Sequence, residues 1–210
     1  MLLAIDTSAG TSVAVVDRRL GTLVEHSEAD TRRHAEVIGD LIRLCLDECG
    51  VAIAALSGVA VGMGPGPFTG LRVGIAAAQA FAFGAGTPLL RVVSHDAIAL
   101  AHYAGGNDGP LLVVTDARRR EVYWSAYSGA DADLLPTRTQ GPGLCRPDDL
   151  PAAVDGYARY PRLDAVVVSA ASVGLLAEGL SLHGREFAGP APLYLRAPDV
   201  TVPGTPKRVS

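Results

Sequence analysis

Cysteine, charge and aromatic rings are all sparse in this chain, and each shortage rules something out. The three cysteines, Cys45, Cys49 and Cys145, leave one thiol over and form no Cys-X-X-Cys spacing. A disulfide framework and a cysteine zinc site are therefore excluded, and a reducing cytoplasm is the expected compartment. Charged residues make up only 19% and the net charge is −4, so no electrostatic footprint for nucleic acid is present. Aromatic residues are 5%, too few to interleave with a basic patch. No basic segment precedes the first apolar run, which Asp6 interrupts too early for a signal peptide. Residues 71–86 are apolar, but they are short and too rich in Ala and Gly for a membrane span, so no membrane is expected.

Apolar residues, in contrast, are abundant: 49% of the 210, with a mean hydropathy of +0.26. A sticky surface is one explanation. The chain is organised around Gly64-Pro65-Gly66-Pro67-Phe68-Thr69-Gly70-Leu71-Arg72-Val73-Gly74 and the helix that follows. A buried strand, 59–63, precedes it, and the glycines and prolines make a tight strand-to-helix turn. Thr69 is the expected N-cap, and Gly86 followed by Pro88 the stop. Between 71 and 86 only Arg72 and Gln79 are strongly polar. Seven residues advance a helix by about 700°, so these two share one stripe and the remaining surface is apolar. Such a helix must be covered on most sides.

A second helix, residues 34–50, carries Glu36, Asp40, Arg43 and Asp47 on a polar stripe. Its apolar residues spread over roughly 200° of the circle, twice what one sheet covers. Cys45 and Cys49 lie one turn apart there as core filling, and His34 stands at the helix start as a cap or surface residue. Strands at 2–5, 13–16, 20–25 and 89–93, with a helix from Ser94 to Tyr103, complete an α/β first half. Gly105-Gly106-Asn107-Asp108-Gly109 is a breaker, which sets lobes at 1–104 and 110–196. In the second half strands are expected at 111–115, 121–127 and 165–168, a helix at 173–182, loops over 129–150 and a disordered tail at 197–210. Arg118-Arg119-Arg120 reads as a solvated charged turn.

Asp6-Thr7-Ser8, with Thr11 beyond, ends one strand and opens a hairpin. An acid followed by small hydroxyls resembles the phosphate hairpin of the actin, Hsp70 and sugar-kinase superfamily. A plain hairpin turn explains these residues equally well. His95 is followed four positions on by Ala99, so it has no second imidazole at helical spacing and no metal site is expected.

Taken in order, Ala4-Ile5-Asp6-Thr7-Ser8, His34-Ala35-Glu36, the glycine string, Asp116-Ala117-Arg118-Arg119 with Glu121-Val122-Tyr123, and Leu193-Tyr194-Leu195-Arg196 resemble the TsaB (YeaZ) family. Pro67 departs from the family's usual Ser. The resemblance implies a two-lobed, actin-like α/β fold of RNase-H type. It implies a non-catalytic subunit that supports a TsaD-type catalytic partner, joined by a TsaE-type ATPase. The complex transfers a threonylcarbamoyl group to the N6 amine of the adenosine beside the tRNA anticodon. The chain would meet tRNA only through that complex and would form a homodimer when isolated. The contact candidates are Ile38, Leu41, Ile42, Cys45, Leu71, Ile75, Ala78, Gln79 and Phe83. Ala77→Arg or Ala78→Arg is expected to abolish pairing and spare the fold. The competing reading is an ATP-dependent kinase or ATPase using Asp6, Thr7, Ser8 and Thr11. The second half lacks the glycine-rich turn such an enzyme needs, so ATP or ADP is expected only weakly or at the complex interface.

Overall fold

The computed structural model describes residues 1–196. The tail 197–210, expected to lack order, lies outside them. Two mixed sheets form the frame. The first has strands β1 (Leu2–Asp6), β2 (Thr11–Asp17), β3 (Gly21–Glu28), β4 (Gly58–Gly62) and β5 (Leu89–Val92), in spatial order β3-β2-β1-β4-β5. β1 pairs antiparallel with β2 and parallel with β4. Helices α1 (His34–Cys49), α2 (Phe68–Ala85) and α3 (Ser94–Ala104) connect and follow these strands.

The second sheet has β6 (Leu111–Asp116), β7 (Val122–Ala130), β8 (Pro136–Cys145) and β9 (Arg162–Ala165), in order β8-β7-β6-β9. A short helix, α4 (Leu150–Ala153), and a longer one, α5 (Ala170–Leu182), complete the described elements.

The period-two alternation of a strand sorts the side chains into cores. Leu3, Ile5, Val13, Val15, Val59 and Val61 face α1 and α2. Leu2, Ala4, Ala14, Val16 and Ala60 face the opposite side, where α5 and α3 pack. Leu111 and Val113 of β6 join that same core, which therefore spans both sheets. Although α5 follows the second sheet in the chain, it lies across β1, β2 and β4 of the first. A Cβ on its Gly174 would stand 2.6 Å from Val16 Cγ2, so only glycine permits this approach. Glu25 on β3 fixes the helix start: its carboxylate accepts from Ser12, from Ser169 and from the Ala171 amide. This places negative charge at the positive end of the helix dipole.

The elements depart from the sequence expectation in three places. Residues 136–145 form a strand where loops were expected. Gly141, Pro142 and Gly143 break the usual strand pattern, yet β8 is an edge strand, where proline is tolerated. A Cβ on Gly143 would meet the Trp124 indole at 2.4 Å, so this glycine lets the strand pass under the ring. The expected strand at 165–168 sits earlier, at Arg162–Ala165, and α5 starts at Ala170, capped by the Ser169 side chain. α2 starts at Phe68 after Pro67, not behind a Thr69 cap.

Five contact candidates also need correction. Ile38, Cys45, Leu71, Ile75 and Ala78 are buried against the chain's own first sheet, which leaves nothing of them for a partner. Leu41 and Ile42 are half-buried in the same core. Ala78 is 0% exposed, so Ala78→Arg would break the fold it was expected to spare. Ala77 also packs on this core and is no better a test. Gln79 and Phe83 point outward.

Candidate functional site

The hairpin between β1 and β2 docks onto the glycine string. Asp6 Oδ1 accepts from the Ser8 amide at 2.7 Å and from the Ser8 hydroxyl at 2.5 Å. Asp6 Oδ2 accepts from Ser94 Oγ at 2.6 Å, and Ser94 Oγ accepts in turn from the Gly64 amide at 3.1 Å. The Thr7 hydroxyl donates to the Gly70 carbonyl at 2.7 Å. Thr11 Oγ1 shares a 2.7 Å hydrogen bond with His34 Nδ1.

The glycine spacing explains itself here. Added Cβ atoms at 62, 66, 70 and 74 would stand 1.8 Å from Asp6 Oδ2, 2.8 Å from Ser8 Cα, 2.6 Å from Thr7 O and 2.1 Å from Thr7 Oγ1. Glycine at every fourth position is thus a track that receives Asp6, Thr7 and Ser8. All four suggested nucleotide contacts come together, but they are buried and bonded within the chain. Burial pushes the Asp6 carboxyl above the usual range, and the bonds from Ser8 and Ser94 pull it back. His34 is buried as well; burial, then the nearby Arg118 charge, hold its imidazole below the ordinary value.

Beyond the hairpin lies a cleft between the two sheets. One cavity of about 490 Å³ is bounded by Ser8, Asp30, Arg32, Pro67, Arg118 and Val166. A second, of about 380 Å³, lies between Phe68, Arg118, Tyr123, Tyr194 and Arg196. Pro67 and Arg118 line both. Arg118, Arg119 and Arg120 all adopt left-handed backbone angles, φ 65°, 54° and 63°. Non-glycine residues held there cost energy and persist only when their surroundings impose them. The Asp116 carboxylate accepts from the Arg118 amide at 3.0 Å, and Arg196 donates to the Ala117 and Arg118 carbonyls. Arg196 also pairs with Glu121. The arginine turn is therefore solvent-exposed, as its charge suggested, and its braced backbone also walls the cleft.

The other candidate surface is the outward side of α2. Arg72, Ala76, Gln79, Ala80 and Phe83 recur at helical spacing and are all exposed, with Phe83 at 90%. Arg72 stacks over the Phe68 ring at 3.8 Å. The α2 sequence meets the length and apolarity of a membrane span, but Leu71, Ile75, Ala78 and Ala82 anchor it in the core.

The model of the TsaD family, described as tRNA N6-adenosine threonylcarbamoyltransferase, matches residues 24–150. An uncharacterized protein of Mycobacterium tuberculosis is 39% identical over 94% of this chain and 92% of its own length. The Escherichia coli tRNA threonylcarbamoyladenosine biosynthesis protein TsaB is 35% identical over 60% of this chain and 54% of its own length. A Pseudomonas aeruginosa crystal structure, described as similar to peptidase YEAZ, has a TM-score of 0.75 at 32% identity and covers 93% of this chain and 99% of that one. The chain belongs to the TsaB/YeaZ family. YeaZ of P. aeruginosa agrees, with a TM-score of 0.72 at 28% identity over 87% and 92% of the two chains. The TsaB/YeaZ likeness bears out the resemblance carried by the glycine string, and the actin-like α/β fold with it. The TsaD-family match runs from β3 through the glycine string and the arginine turn to the start of α4.

Sequence reasoning missed two residues near this site. His95, given no role, is fully buried: its Nδ1 meets Ser125 Oγ and its Nε2 meets Thr115 Oγ1, each at 2.9 Å. It ties α3 to the second sheet. His34 was read as a cap or surface residue, and its bond to Thr11 depends on a turn no local pattern reports. In both cases the partners lie 20 or more residues away.

Proposed function

We propose that this chain acts in tRNA threonylcarbamoyladenosine biosynthesis as a non-catalytic subunit, docked through α1 and α2 onto a TsaD-type catalytic protein. The family assignment supports the pathway. The observation that carries the docking is the outward stripe of α2, where Ala76, Ala80 and Phe83 stand exposed on a helix already anchored from behind. Small residues let a facing helix approach closely, and a single large ring between them acts as an anchor. A TsaE-type ATPase joins the assembly, tRNA is met through it, and the chain alone pairs with a second copy through the same stripe. The compartment is the cytoplasm.

The non-catalytic part is supported by the hairpin. A phosphate site needs free amides and hydroxyls, and here the Asp6, Thr7 and Ser8 side chains and the Ser8 amide bond within the chain. ATP or ADP is accordingly assigned no catalytic role in this subunit and binds weakly or at the complex interface.

Phe83→Ala tests the docking. Burying a phenylalanine contributes about 2–3 kcal/mol, so affinity for the TsaD-type protein is expected to fall by a factor of about 30–150. Isothermal titration measures it, and the thermal midpoint of the isolated monomer should hold because the ring is exposed. Unchanged affinity would remove the support for this face.

A further inference from the structure

The smaller of the two cleft cavities, of about 380 Å³, is lined by hydrogen-bond donors. Arg118, Arg119 and Arg196 stand on its wall, and among the described residues no aspartate or glutamate lines it. Asp116 lines the neighbouring cavity and meets Arg118 only at 3.8 Å, with 53% of the Arg118 side chain still exposed. Arg196 pairs with Glu121 and donates to two carbonyls of the arginine turn, so it braces the wall. Tyr123 is the deciding residue. It is only 2% exposed, yet it lines the cavity, and its hydroxyl has no hydrogen-bond partner among the described residues. Burial, then the Asp116 charge, push its phenol up, so it stays protonated and can donate to an anion. Phe68 and Thr69, which begin α2, add to the lining, and no side chain caps the helix there. First-turn amides have no partner inside a helix and favour negative charge. A buried donor without an acceptor is costly, and an anionic acceptor relieves it best.

The cavity is continuous with the outward stripe of α2. Phe68 lines the cavity, the Arg72 guanidinium stacks 3.8 Å over the Phe68 ring, and Arg72 begins the stripe that ends at Phe83. From Arg72 to Phe83 the helix rises about 16 Å, so the cavity and the stripe fit under one partner of ordinary interface size. The supply of positive charge is small, because Asp116 and Glu121 offset two of the arginines. That suits a single carboxylate. A run of phosphates binds in proportion to the number of cations that meet it, and few are offered here.

We propose that this cavity receives an aspartate or glutamate side chain of the docked TsaD-type protein, its carboxylate accepting from the Tyr123 hydroxyl and pairing with Arg118. The inference rests on the docking reading and adds to it a polar contact at the N-terminal end of α2, away from Phe83.

The test is isothermal titration of the TsaD-type protein into the full chain at low and at high salt. Tyr123→Phe removes only an unpartnered hydroxyl, so the unfolding midpoint should hold while affinity falls about tenfold. Arg118→Gln should cost a similar factor and weaken the dependence of affinity on salt. If both variants bind as the wild type does while Ala80→Arg abolishes binding, the cavity contact is overturned and the docking reading stands. No binding by the wild-type chain would overturn both. Binding of tRNA to the isolated chain, lost in the same two variants, would assign the cavity to a phosphate and overturn the carboxylate.

Discussion

Gly62→Ala is expected to leave little folded protein, while the same change at Gly84 is expected to stabilise it. Gly62 ends the interior strand β4, and a Cβ there would lie 1.8 Å from Asp6 Oδ2, 2.6 Å from Ser94 Oγ and 2.8 Å from Asp6 Cγ. The new atom collides with both partners of one buried hydrogen bond, and neither can swing away without stranding a polar group. Overpacking plus a lost buried carboxylate network exceeds about 4 kcal/mol, a large part of a domain's total stability. A Cβ at Gly84, on the exposed side of α2, meets nothing within 4 Å. There the gain is the helix propensity of alanine over glycine, about 0.5–1 kcal/mol. Urea unfolding of the two variants reads both signs; equal effects would show that the glycine track does not hold the hairpin.

His95 supplies the second large effect. Burial pushes its imidazole down to about 3, with the Arg138 charge adding to it. The unfolded chain, with histidine near its ordinary value of about 6.5, therefore takes up a proton between pH 6.5 and 3 that the folded chain refuses. Stability is full above pH 6.5 and is lost as pH falls through that window, by about 2 kcal/mol on going from pH 7 to pH 5. His34, shifted the same way, adds to the slope. Asp6 and Asp96, raised by burial, act in the opposite sense, so the His95→Gln difference, not the wild-type slope alone, reads the histidine. His95→Gln should lower stability at pH 7, because Thr115 and Ser125 lose a matched partner, and should flatten the slope. The urea midpoint against pH for wild type and variant measures this, and an unchanged slope would contradict the role given to His95.

How much of this was legible in the sequence depends on the range of the interaction. The alternation in β1, β2 and β4 and the glycine string with its helix are local patterns, and they place the first sheet and α2 well. β8 was not legible, because Gly141, Pro142 and Gly143 are breakers in isolation and act as strand residues only under the Trp124 ring. The apolar circumference of α1 and α2 is legible in the sequence, but its direction is not. Helical spacing identifies which residues share a stripe, not which stripe meets the sheet. Ile38, Cys45, Leu71, Ile75 and Ala78 therefore stood among the contact candidates with their facing undecided, and the first sheet takes them. Ala76 and Ala80, small and exposed, passed unnamed. The hairpin shows the same limit: Asp6, Thr7, Ser8 and Thr11 carry the composition of a phosphate site, and only the fold reveals that the glycine track and His34 occupy their bonds.

The central claim is that a facing polypeptide covers the outward stripe of α2. Titrating the TsaD-type protein into this chain, wild type against Ala80→Arg, tests it most directly. Ala80 is exposed, so the arginine leaves the monomer's unfolding midpoint in place, while its bulk and desolvated charge at a close helix contact should cost several kcal/mol, a loss of roughly 100-fold or more. Loss of binding with an intact monomer is the result the account predicts. Equal affinity for the two proteins, with the arginine in place, would contradict it.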